Sequence, residues 1–458
     1  MSSAIIQSNK SLANIHLRSI ITLPYAKQWK RQYTTPTSTI SPLPKPLSGI
    51  KVLELGQLVA GPFCGSILGY YGAEVIKIEP PKTGDPLRKW RYLDEDGQSP
   101  WFRSLARNKK SVCLDLKSEK GRKLVKQLSE SSDVLIENFK PGTMEKWGLG
   151  PDDLYAINPN LIYTRISGYG GTGPNSKLPG FASVCEGYSG FRFINGHPGE
   201  APVRPNISLG DSLAGLHAAL GVVLGLYGRQ KLASLPGNSG TSSQQPGQVV
   251  DVAIYEAMLN MMEGIIPEYD RSGQIRQPSG TTVTGIVPTN TYPCKGGKYV
   301  IIGGNGDSIY KRLMKAIGRE DLTGPDYETN TERVKEQKQI DQAISDWTSA
   351  HDPDYILKVL SEASVPAGKI YDVKDIVEDK HVNARGMIEE VSVGSKEDGR
   401  GWKLKVPGMS PRLSRTPGST EWAGPDLGEH TTEVLETHLG LSKQDINELV
   451  KEGIAFSK

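Results

Sequence analysis

The sequence predicts an α/β protein with a Rossmann-like parallel sheet in a large domain and a smaller α+β domain after it. Two observations predict this class. Short runs rich in aliphatic residues alternate with helical patterns after residue 46, and a second, mixed set of helices and strands follows near residue 298. Strands that alternate with helices of this length form parallel β-α-β units, which bind nucleotide-like ligands at the carboxyl ends of the strands.

The elements of the predicted sheet come first in the chain. Buried-strand patterns occupy residues 51–55, 74–79, 111–116 and 133–138, and helical patterns occupy residues 62–71 and 118–130. Later helices are predicted at residues 252–264, 307–317, 333–348 and 353–363, with a strand at 298–302. Residues 426–435 open an amphipathic helical tail, for which Thr431 or Thr432 is the predicted cap.

The charge of the chain is unevenly distributed. Of its 54 basic residues, seven precede the first acidic residue, Glu54. The rest of the chain is therefore slightly acidic, and its charge does not indicate nucleic-acid binding. The first 46 residues are also rich in Ser and Thr, which is typical of a mitochondrial transit peptide and predicts a matrix protein. A disordered cytosolic tail has a similar composition and remains the alternative.

The cysteines and the apolar runs exclude several classes of protein. Four widely spaced cysteines contain no C-x-x-C pair, so the sequence indicates neither a metal site nor a disulfide framework. The most apolar windows, such as residues 218–227, are short and rich in glycine, and we expect no membrane span.

A nicotinamide dehydrogenase is the first alternative for a sheet of this type. Its phosphate loop requires G-x-G-x-x-G, whereas residues 56–65 read GQLVAGPFCG. Glu79 does end the second predicted strand, as a ribose-binding acid would, but a single acid there is more often simply solvated. The glycine spacing therefore disfavours a dinucleotide site.

Asp211 lies where a turn meets a long helix rich in small residues. An aspartate at that junction is an ordinary amino-terminal cap. It can also act as a nucleophile toward an activated carbonyl, because it is ionised at neutral pH and needs no general base. The residues alone favour the cap.

Several ordered motifs together resemble one family. They are LSGIKVLEL…AGP at residues 47–62, LGYYGAEVIKIE at 68–79, RNKKS at 107–111, LDLK at 114–117, DVLIENF…PG at 133–142, SGYG at 167–170, the Asp211 segment, and LGEHT at 427–431. The chain resembles class III CoA-transferases of the formyl-CoA transferase or CaiB-BaiF type, and most closely the mitochondrial succinyl-CoA:glutarate enzymes.

This resemblance implies a fold and an assembly. The large domain would span residues 47–265 with a flexible insert near 232–247 between two helices, and the small domain 266–380. Residues 381–458 would return to the large domain and form the carboxyl-terminal helices, and residues 1–46 would be the leader. Two chains of this family typically interlock as rings in a homodimer.

The resemblance also implies a reaction. Asp211 would attack an acyl-CoA thioester, giving an aspartyl anhydride and then an enzyme-CoA thioester, so coenzyme A is a substrate and we expect no tightly bound cofactor or metal. The expected donor is succinyl-CoA, and the expected acceptor is a C4–C5 dicarboxylate such as glutarate or itaconate. Arg204 is the candidate for its distal carboxylate, ahead of Arg165 and Arg192.

The family resemblance also implies that the first half of the chain binds CoA. The matching positions are Val59, Ala60, Leu114, Lys117, Asn138, Phe139 and Lys146. Lysines suit phosphates and Phe139 suits an adenine ring. In the other interpretation the lysines are solvated and Phe139 belongs to the core.

Three departures from the family pattern bear on substrate and mechanism. Pro80 stands where one CoA-contacting arginine is expected, Gly180-Phe181-Ala182 lacks the family's active-site acid, and residues 280–288 lack a run of glycines. Oxalate and formate are therefore disfavoured. An α-methylacyl-CoA racemase is the remaining alternative, but it needs a His in the segment that reads Gly180-Phe181-Ala182, and His217 is better explained as packed or capping.

Overall fold

The computed structural model describes residues 43–234, 247–394 and 401–458. The predicted leader, apart from its last four residues, lies outside these ranges, as does most of the predicted insert. The described residues form twelve strands: β1 (Lys51–Glu54), β2 (Glu74–Glu79), β3 (Lys109–Leu114), β4 (Val134–Glu137), β5 (Ile162–Ser167), β6 (Gln248–Ala253), β7 (Thr289–Cys294), β8 (Lys298–Gly303), β9 (Ala367–Lys369), β10 (Ile388–Val393), β11 (Trp402–Pro407) and β12 (Ala455–Phe456).

The helices of the same described residues fall into three groups. The first group is α1 (Ala60–Tyr70), α2 (Pro100–Leu105), α3 (Glu119–Glu130), α4 (Thr143–Lys146), α5 (Pro151–Tyr155), α6 (Ala182–Tyr188), α7 (Phe191–Ile194) and α8 (Leu209–Ala233). The second is α9 (Ile254–Leu259), α10 (Ile265–Ser272), α11 (Asp307–Ala316), α12 (Asn330–Lys335), α13 (Gln337–Ser349), α14 (Pro353–Glu362), α15 (Val373–Glu378) and α16 (Lys380–Ala384). The last is α17 (Thr431–Leu439) and α18 (Lys443–Lys451).

The large sheet confirms the predicted fold class. Its seven strands follow the order β12-β3-β2-β1-β4-β5-β6, and all neighbours are parallel except β12, which runs antiparallel to β3. The order 3-2-1-4-5-6 is that of a doubly wound dinucleotide-binding sheet. Strands β2 and β3 are added on one side of β1, and strands β4, β5 and β6 on the other. The crevice between the carboxyl ends of β1 and β4, where this order reverses, is therefore the expected ligand site.

Two further sheets lie after residue 288. β7, β8 and β9 form an antiparallel sheet with a hydrophobic core of its own around Tyr292 and Leu313, and β10 and β11 form an antiparallel pair. Arg107 donates to the Pro407 carbonyl at the end of β11, which ties this hairpin to the large domain. The exact domain boundaries at residues 265 and 380 stay predictions.

Several predicted elements differ from the observed ones. Residues 252–253 end strand β6 rather than opening a helix, because β6 pairs with β5 along its whole length. The insert therefore joins helix α8 to a strand and not to a second helix. The helix predicted at residues 333–348 is divided at Glu336, and the tail helix α17 is preceded by His430, so neither Thr431 nor Thr432 is its cap. Thr431 instead accepts a hydrogen bond from the Cys113 N–H.

Helix α8 is longer and more apolar than expected. Within Leu209–Leu232 an 18-residue window has a mean hydropathy of 1.5, so by length and composition this is the one helix among the described residues that could cross a membrane. The expectation that no apolar run reaches this length is wrong. One face of the helix, which includes Ala214, Ala218 and Val222, is fully buried in the core beside the large sheet.

A network of buried charges lies among strands β1, β2 and β3, with Glu54 at the carboxyl end of β1 and Lys109 at the amino end of β3. Glu54 is fully buried, accepts a hydrogen bond from Lys77 at 3.0 Å and forms an ion pair with Lys109 at 2.7 Å. Lys77 also pairs with Asp85 at 2.9 Å. Glu79 is neither solvated nor free for a ribose, because Arg88 binds it at 2.7 Å and holds its pKa down at about 2 against the opposing effect of burial.

Candidate active site

The loops that follow β1 and β4 meet at the point where the sheet order reverses. Asn138, directly after β4, joins them through two hydrogen bonds of 2.8 Å, one from the Gln57 N–H and one to the Gln57 carbonyl. Beside this contact lies a cavity of about 200 Å³ lined by residues 138–141, 167–168 and 178–181. The loops are thus held in one position next to an open space that a ligand can enter.

The turn between β1 and α1 has an unusual backbone. Leu58 has a φ of 64°, in the left-handed region that a branched side chain rarely adopts. Its N–H donates to both carboxylate oxygens of Asp85, at 3.1 and 3.2 Å, and Asp85 belongs to the buried charge network. The network therefore holds the turn that presents Val59 and Ala60 at the amino end of α1.

Helix α8 approaches this turn very closely. A Cβ at Gly215 would lie 2.6 Å from the Ala60 carbonyl oxygen and 3.0 Å from Phe63 Cβ, so only glycine allows the two helices to pack at this distance. Asp211 is four residues earlier and lies on the same face of α8, one turn closer to its amino terminus. The packing of α1 on α8 therefore brings Asp211 to the side of the β1-α1 turn.

Asp211 is not a helix cap. It is the third residue of α8, and the cap position belongs to Ser208. In the part of the chain that the structure describes, no hydrogen bond or ion pair engages its half-buried carboxylate. Burial and, to a smaller extent, the nearby Glu186 carboxylate raise its pKa, and the Arg204 cation opposes them, so the pKa is about 6 against an ordinary value of 3.8. The prediction of a capping aspartate is wrong because the helix begins two residues before it.

Glu186 is a buried acid that the sequence reasoning missed. It is fully buried on α6, binds Arg192 at 3.0 Å and accepts from the Gly210 N–H at 3.3 Å. The family's usual acid is missing at Ala182, but Glu186 lies one helical turn further on. A single acid in an otherwise apolar helix was the only signal for it in the sequence.

The three candidate arginines have different environments. Arg204 is exposed and folds back on its own turn, donating to the Pro205 and Ile207 carbonyls at 3.3 and 3.2 Å. Arg192 is paired with Glu186, and Arg165 is paired with Glu145 at 2.6 Å. Among the three, only Arg204 has no carboxylate partner within ion-pair distance.

The predicted CoA-contacting residues lie along the carboxyl edge of the sheet. Lys117 follows β3 and Lys146 ends α4, and both are exposed. Phe139 is half-buried and packs edge-on against Trp147, with ring centroids 5.2 Å apart. The Leu114 side chain is only 1% exposed, so it could offer a ligand nothing but its backbone.

Val59, Ala60 and Asn138 occupy the crevice itself. Val59 and Ala60 are buried where α1 begins, and Asn138 is fully engaged with Gln57. His217 lies on α8 and shares a hydrogen bond of 2.8 Å between its Nδ1 and the Leu213 carbonyl, as expected for a packed rather than an acid-base histidine. No cluster of three metal-ligating side chains occurs in the described residues.

Comparison with known proteins identifies the family. A family model described as CoA-transferase family III matches residues 47–431. The chain belongs to CoA-transferase family III. The match includes every strand of the large sheet except β12, and it includes Asp211 and Glu186.

Relatives of this family III CoA-transferase cover most of its length. A succinyl-CoA–D-citramalate CoA-transferase of Chloroflexus aurantiacus is 43% identical over 88% of this chain and 96% of its own. The human succinyl-CoA:glutarate CoA-transferase is 31% identical over 90% of each. A crystal structure of a CAIB/BAIF family protein from Brucella suis, 30% identical, covers 86% of this chain and all of its own with a TM-score of 0.74.

Proposed function

We propose that this CoA-transferase moves CoA from succinyl-CoA to a C4–C5 dicarboxylate, with Asp211 as the covalent carrier. The observation that carries the proposal is the Asp211 carboxylate, which has no partner among the described residues and stands one helical turn before Gly215, where α8 packs against the start of α1. A structural aspartate is ordinarily bonded, whereas a nucleophile must keep a lone pair available.

The first half-reaction loads CoA onto the enzyme. The Asp211 carboxylate attacks the thioester carbonyl of succinyl-CoA, forming a mixed anhydride and releasing CoA thiolate. The thiolate then attacks the aspartyl carbonyl, which gives an Asp211-CoA thioester and free succinate. The activation of the thioester is kept at each step, provided that water does not reach the anhydride.

The second half-reaction repeats these steps in reverse. A carboxylate of the acceptor attacks the Asp211 thioester, giving a second anhydride and CoA thiolate. The thiolate attacks the acceptor's carbonyl, and the new acyl-CoA leaves with the Asp211 carboxylate restored. No proton is consumed in the cycle, so no general base is needed.

The crevice provides the elements for CoA binding. The exposed ammonium groups of Lys117 and Lys146 suit the phosphates of the ligand, and Phe139 offers an aromatic face beside the cavity. Val59 and Ala60 would border the pantetheine arm close to Asp211. In this proposal coenzyme A is a substrate, and no tightly bound cofactor takes part.

The names of the relatives support the donor and the class of acceptor. The Chloroflexus and human enzymes are named for succinyl-CoA together with D-citramalate and glutarate, and an Agrobacterium fabrum relative, 32% identical, for succinate and glutarate. All of these acids carry two carboxylates. One would attack at Asp211, and the other requires a cation nearby.

Replacement of Arg204 by alanine is expected to raise the KM for glutarate by about 10- to 100-fold, which is the size of a lost charge-assisted hydrogen bond. Arg204 is the exposed cation whose charge lowers the pKa of Asp211. Initial rates at pH 8, where Asp211 is ionised, measure the effect. Arg312→Ala, which removes another exposed arginine bonded to backbone carbonyls, is the control. An unchanged KM for every dicarboxylate contradicts the assignment.

The rate of transfer is expected to fall as the pH decreases through about 6, since only ionised Asp211 is a nucleophile and burial together with the Glu186 carboxylate raises its pKa to that value. Below this pH, kcat/KM should decrease about tenfold for each further unit. An aspartate with an ordinary pKa would retain nearly full activity down to about pH 5. A pH profile of kcat/KM with succinyl-CoA measures the difference.

A homodimer is part of the proposal. The outer face of α8 exposes Leu216, Leu220, Val223, Leu224 and Tyr227, each between 43% and 60% accessible in the isolated chain. Contiguous apolar surface of this kind marks a protein interface. Analytical ultracentrifugation of the purified protein tests whether two chains associate.

The mitochondrial matrix is the proposed location, on the basis of the basic, Ser- and Thr-rich residues 1–46. The proposal suits a donor, succinyl-CoA, that is made in that compartment. A fusion of residues 1–46 to a fluorescent protein tests it directly.

The reaction itself is tested by incubating the protein with succinyl-CoA and a panel of mono- and dicarboxylic acids. Mass spectrometry should detect the acyl-CoA of a C4 or C5 dicarboxylate with equimolar succinate. Hydrolysis without transfer, or inversion of an α-methylacyl-CoA in place of transfer, overturns the proposal.

A further inference from the structure

Glu186 holds the amino end of the helix that carries Asp211. One carboxylate oxygen accepts from the Gly210 N–H at 3.3 Å, and the other accepts from Arg192 at 3.0 Å. A Cβ at Gly210 would meet Glu186 Cγ at 3.4 Å and Ala182 Cβ at 3.3 Å, so α6 packs directly against the first turn of α8. The fully buried Glu186 carboxylate is therefore fixed against the backbone of Gly210, the residue that precedes Asp211 in the chain.

The other charged and titratable groups around Asp211 are few. Arg204 precedes it on the same loop, and Cys185 is the neighbour of Glu186 on α6. Helix α1 brings no acidic residue in its first turn and no basic residue in its last. On α9, Tyr255 and Glu256 are bonded to each other. Strands β5 and β6 supply Arg165 and Asp251, which are engaged by Glu145 and by the Gly171 N–H.

The charge on Asp211 changes during the proposed reaction. As a free carboxylate it is repelled by Glu186, but as an anhydride or a CoA thioester it is neutral and the repulsion disappears. The negative charge departs with the released succinate. A buried negative neighbour therefore raises the free energy of the resting enzyme relative to its acylated forms, in the same way that it favours protonation.

We infer that Glu186 is a positioning residue that fixes the first turn of α8 and drives Asp211 toward its acylated state. The inference rests on the proposed function of Asp211. Arg192 limits the effect, since its cation neutralises part of the Glu186 charge at the exposed end of the pair. The site thus contains an acid that never touches the substrate but shifts the internal equilibrium toward the enzyme-CoA thioester.

The test is Glu186→Gln, which keeps an oxygen to accept from Gly210 and removes only the charge. The acid limb of kcat/KM should move to lower pH by about one unit, and in a fixed mixture of succinyl-CoA and succinate the fraction of enzyme found as CoA thioester, divided by the fraction left free, should decrease about tenfold. Intact-protein mass spectrometry of the acid-quenched enzyme measures that fraction. Glu448→Gln, an exposed charge change on α18, should leave both unchanged.

A second variant keeps the inference testable if Glu186→Gln does not fold. Arg192→Gln leaves the Glu186 charge uncompensated, so the acid limb should move to higher pH and the thioester fraction should rise. A purely structural role predicts lost stability with an unmoved acid limb in both variants, which overturns the inference. If the wild-type enzyme itself forms no Asp211 thioester, the proposed function fails instead.

Discussion

Replacement of Asp211 by asparagine is expected to lower kcat for CoA transfer by a factor of roughly 10,000 or more. The amide has the same shape as the carboxylate, but it cannot form an anhydride with the acyl donor. The Asp211 carboxylate has no bonded partner among the described residues, so the change removes no contact that the fold needs. Binding of CoA, measured by calorimetry, should change little.

Chemical trapping makes this prediction specific to Asp211. Hydroxylamine added during turnover should convert Asp211 of the wild-type enzyme to a hydroxamate, found by peptide mass spectrometry, and the asparagine variant should show none. Asp270→Asn removes an exposed carboxylate on α10 and should retain full activity and labelling. Substantial turnover by the Asp211 variant, or label on a different carboxylate, would falsify the covalent role.

Replacement of Glu54 by glutamine is expected to lower the free energy of unfolding by about 3–5 kcal/mol. Glu54 is fully buried between the Lys77 and Lys109 ammonium groups, and a neutral amide leaves both without their shared counter-charge. Burial already lowers the pKa of Lys109 to about 8 although Glu54 opposes this effect. Urea denaturation followed by circular dichroism, at a fixed protein concentration, measures the loss.

The matched control is an ion pair at the surface. Glu452→Gln breaks the exposed pair between Lys120 and Glu452 and should cost under about 1 kcal/mol, because water and salt screen it. If both variants lose the same amount, the buried network is not a main source of stability. A loss of activity beyond the loss of folded protein is also expected for Glu54→Gln, since Asp85 in the same network holds Leu58.

The local pattern of the sequence was sufficient for the parallel sheet. Residues 74–79, for example, contain three β-branched aliphatic side chains in a short run between Gly72 and Pro80, and β2 occupies those residues. Strand β6 was missed because its outward residues are exposed and its assignment depends on pairing with β5, a contact more than eighty residues away. Strand β12, only two residues long, has no periodicity that a sequence pattern could show.

The candidate site was only partly predictable for a similar reason. Asp211 was selected by ordered motifs that run from residue 47 to residue 431, whereas the predicted cap position was wrong by three residues, since the cap is Ser208. Glu186 and Asp85 act through hydrogen bonds with Gly210 and Leu58 that exist only in the folded chain, and no local sequence pattern indicates those partners. Buried acids of this kind become recognisable only when the helices are in place.

The pairing of β12 with β3 has a consequence for the order in which two chains can assemble. Phe456 lies beside Cys113, and the small domain is encoded between them, so this contact closes each chain into a loop. If two such loops interlock, as the family resemblance implies, one chain must pass through the other before the second β12 docks. Subunits would then exchange only when a terminal strand detaches, and a mixed dimer would form at the slow rate of that detachment rather than at the rate of ordinary dissociation.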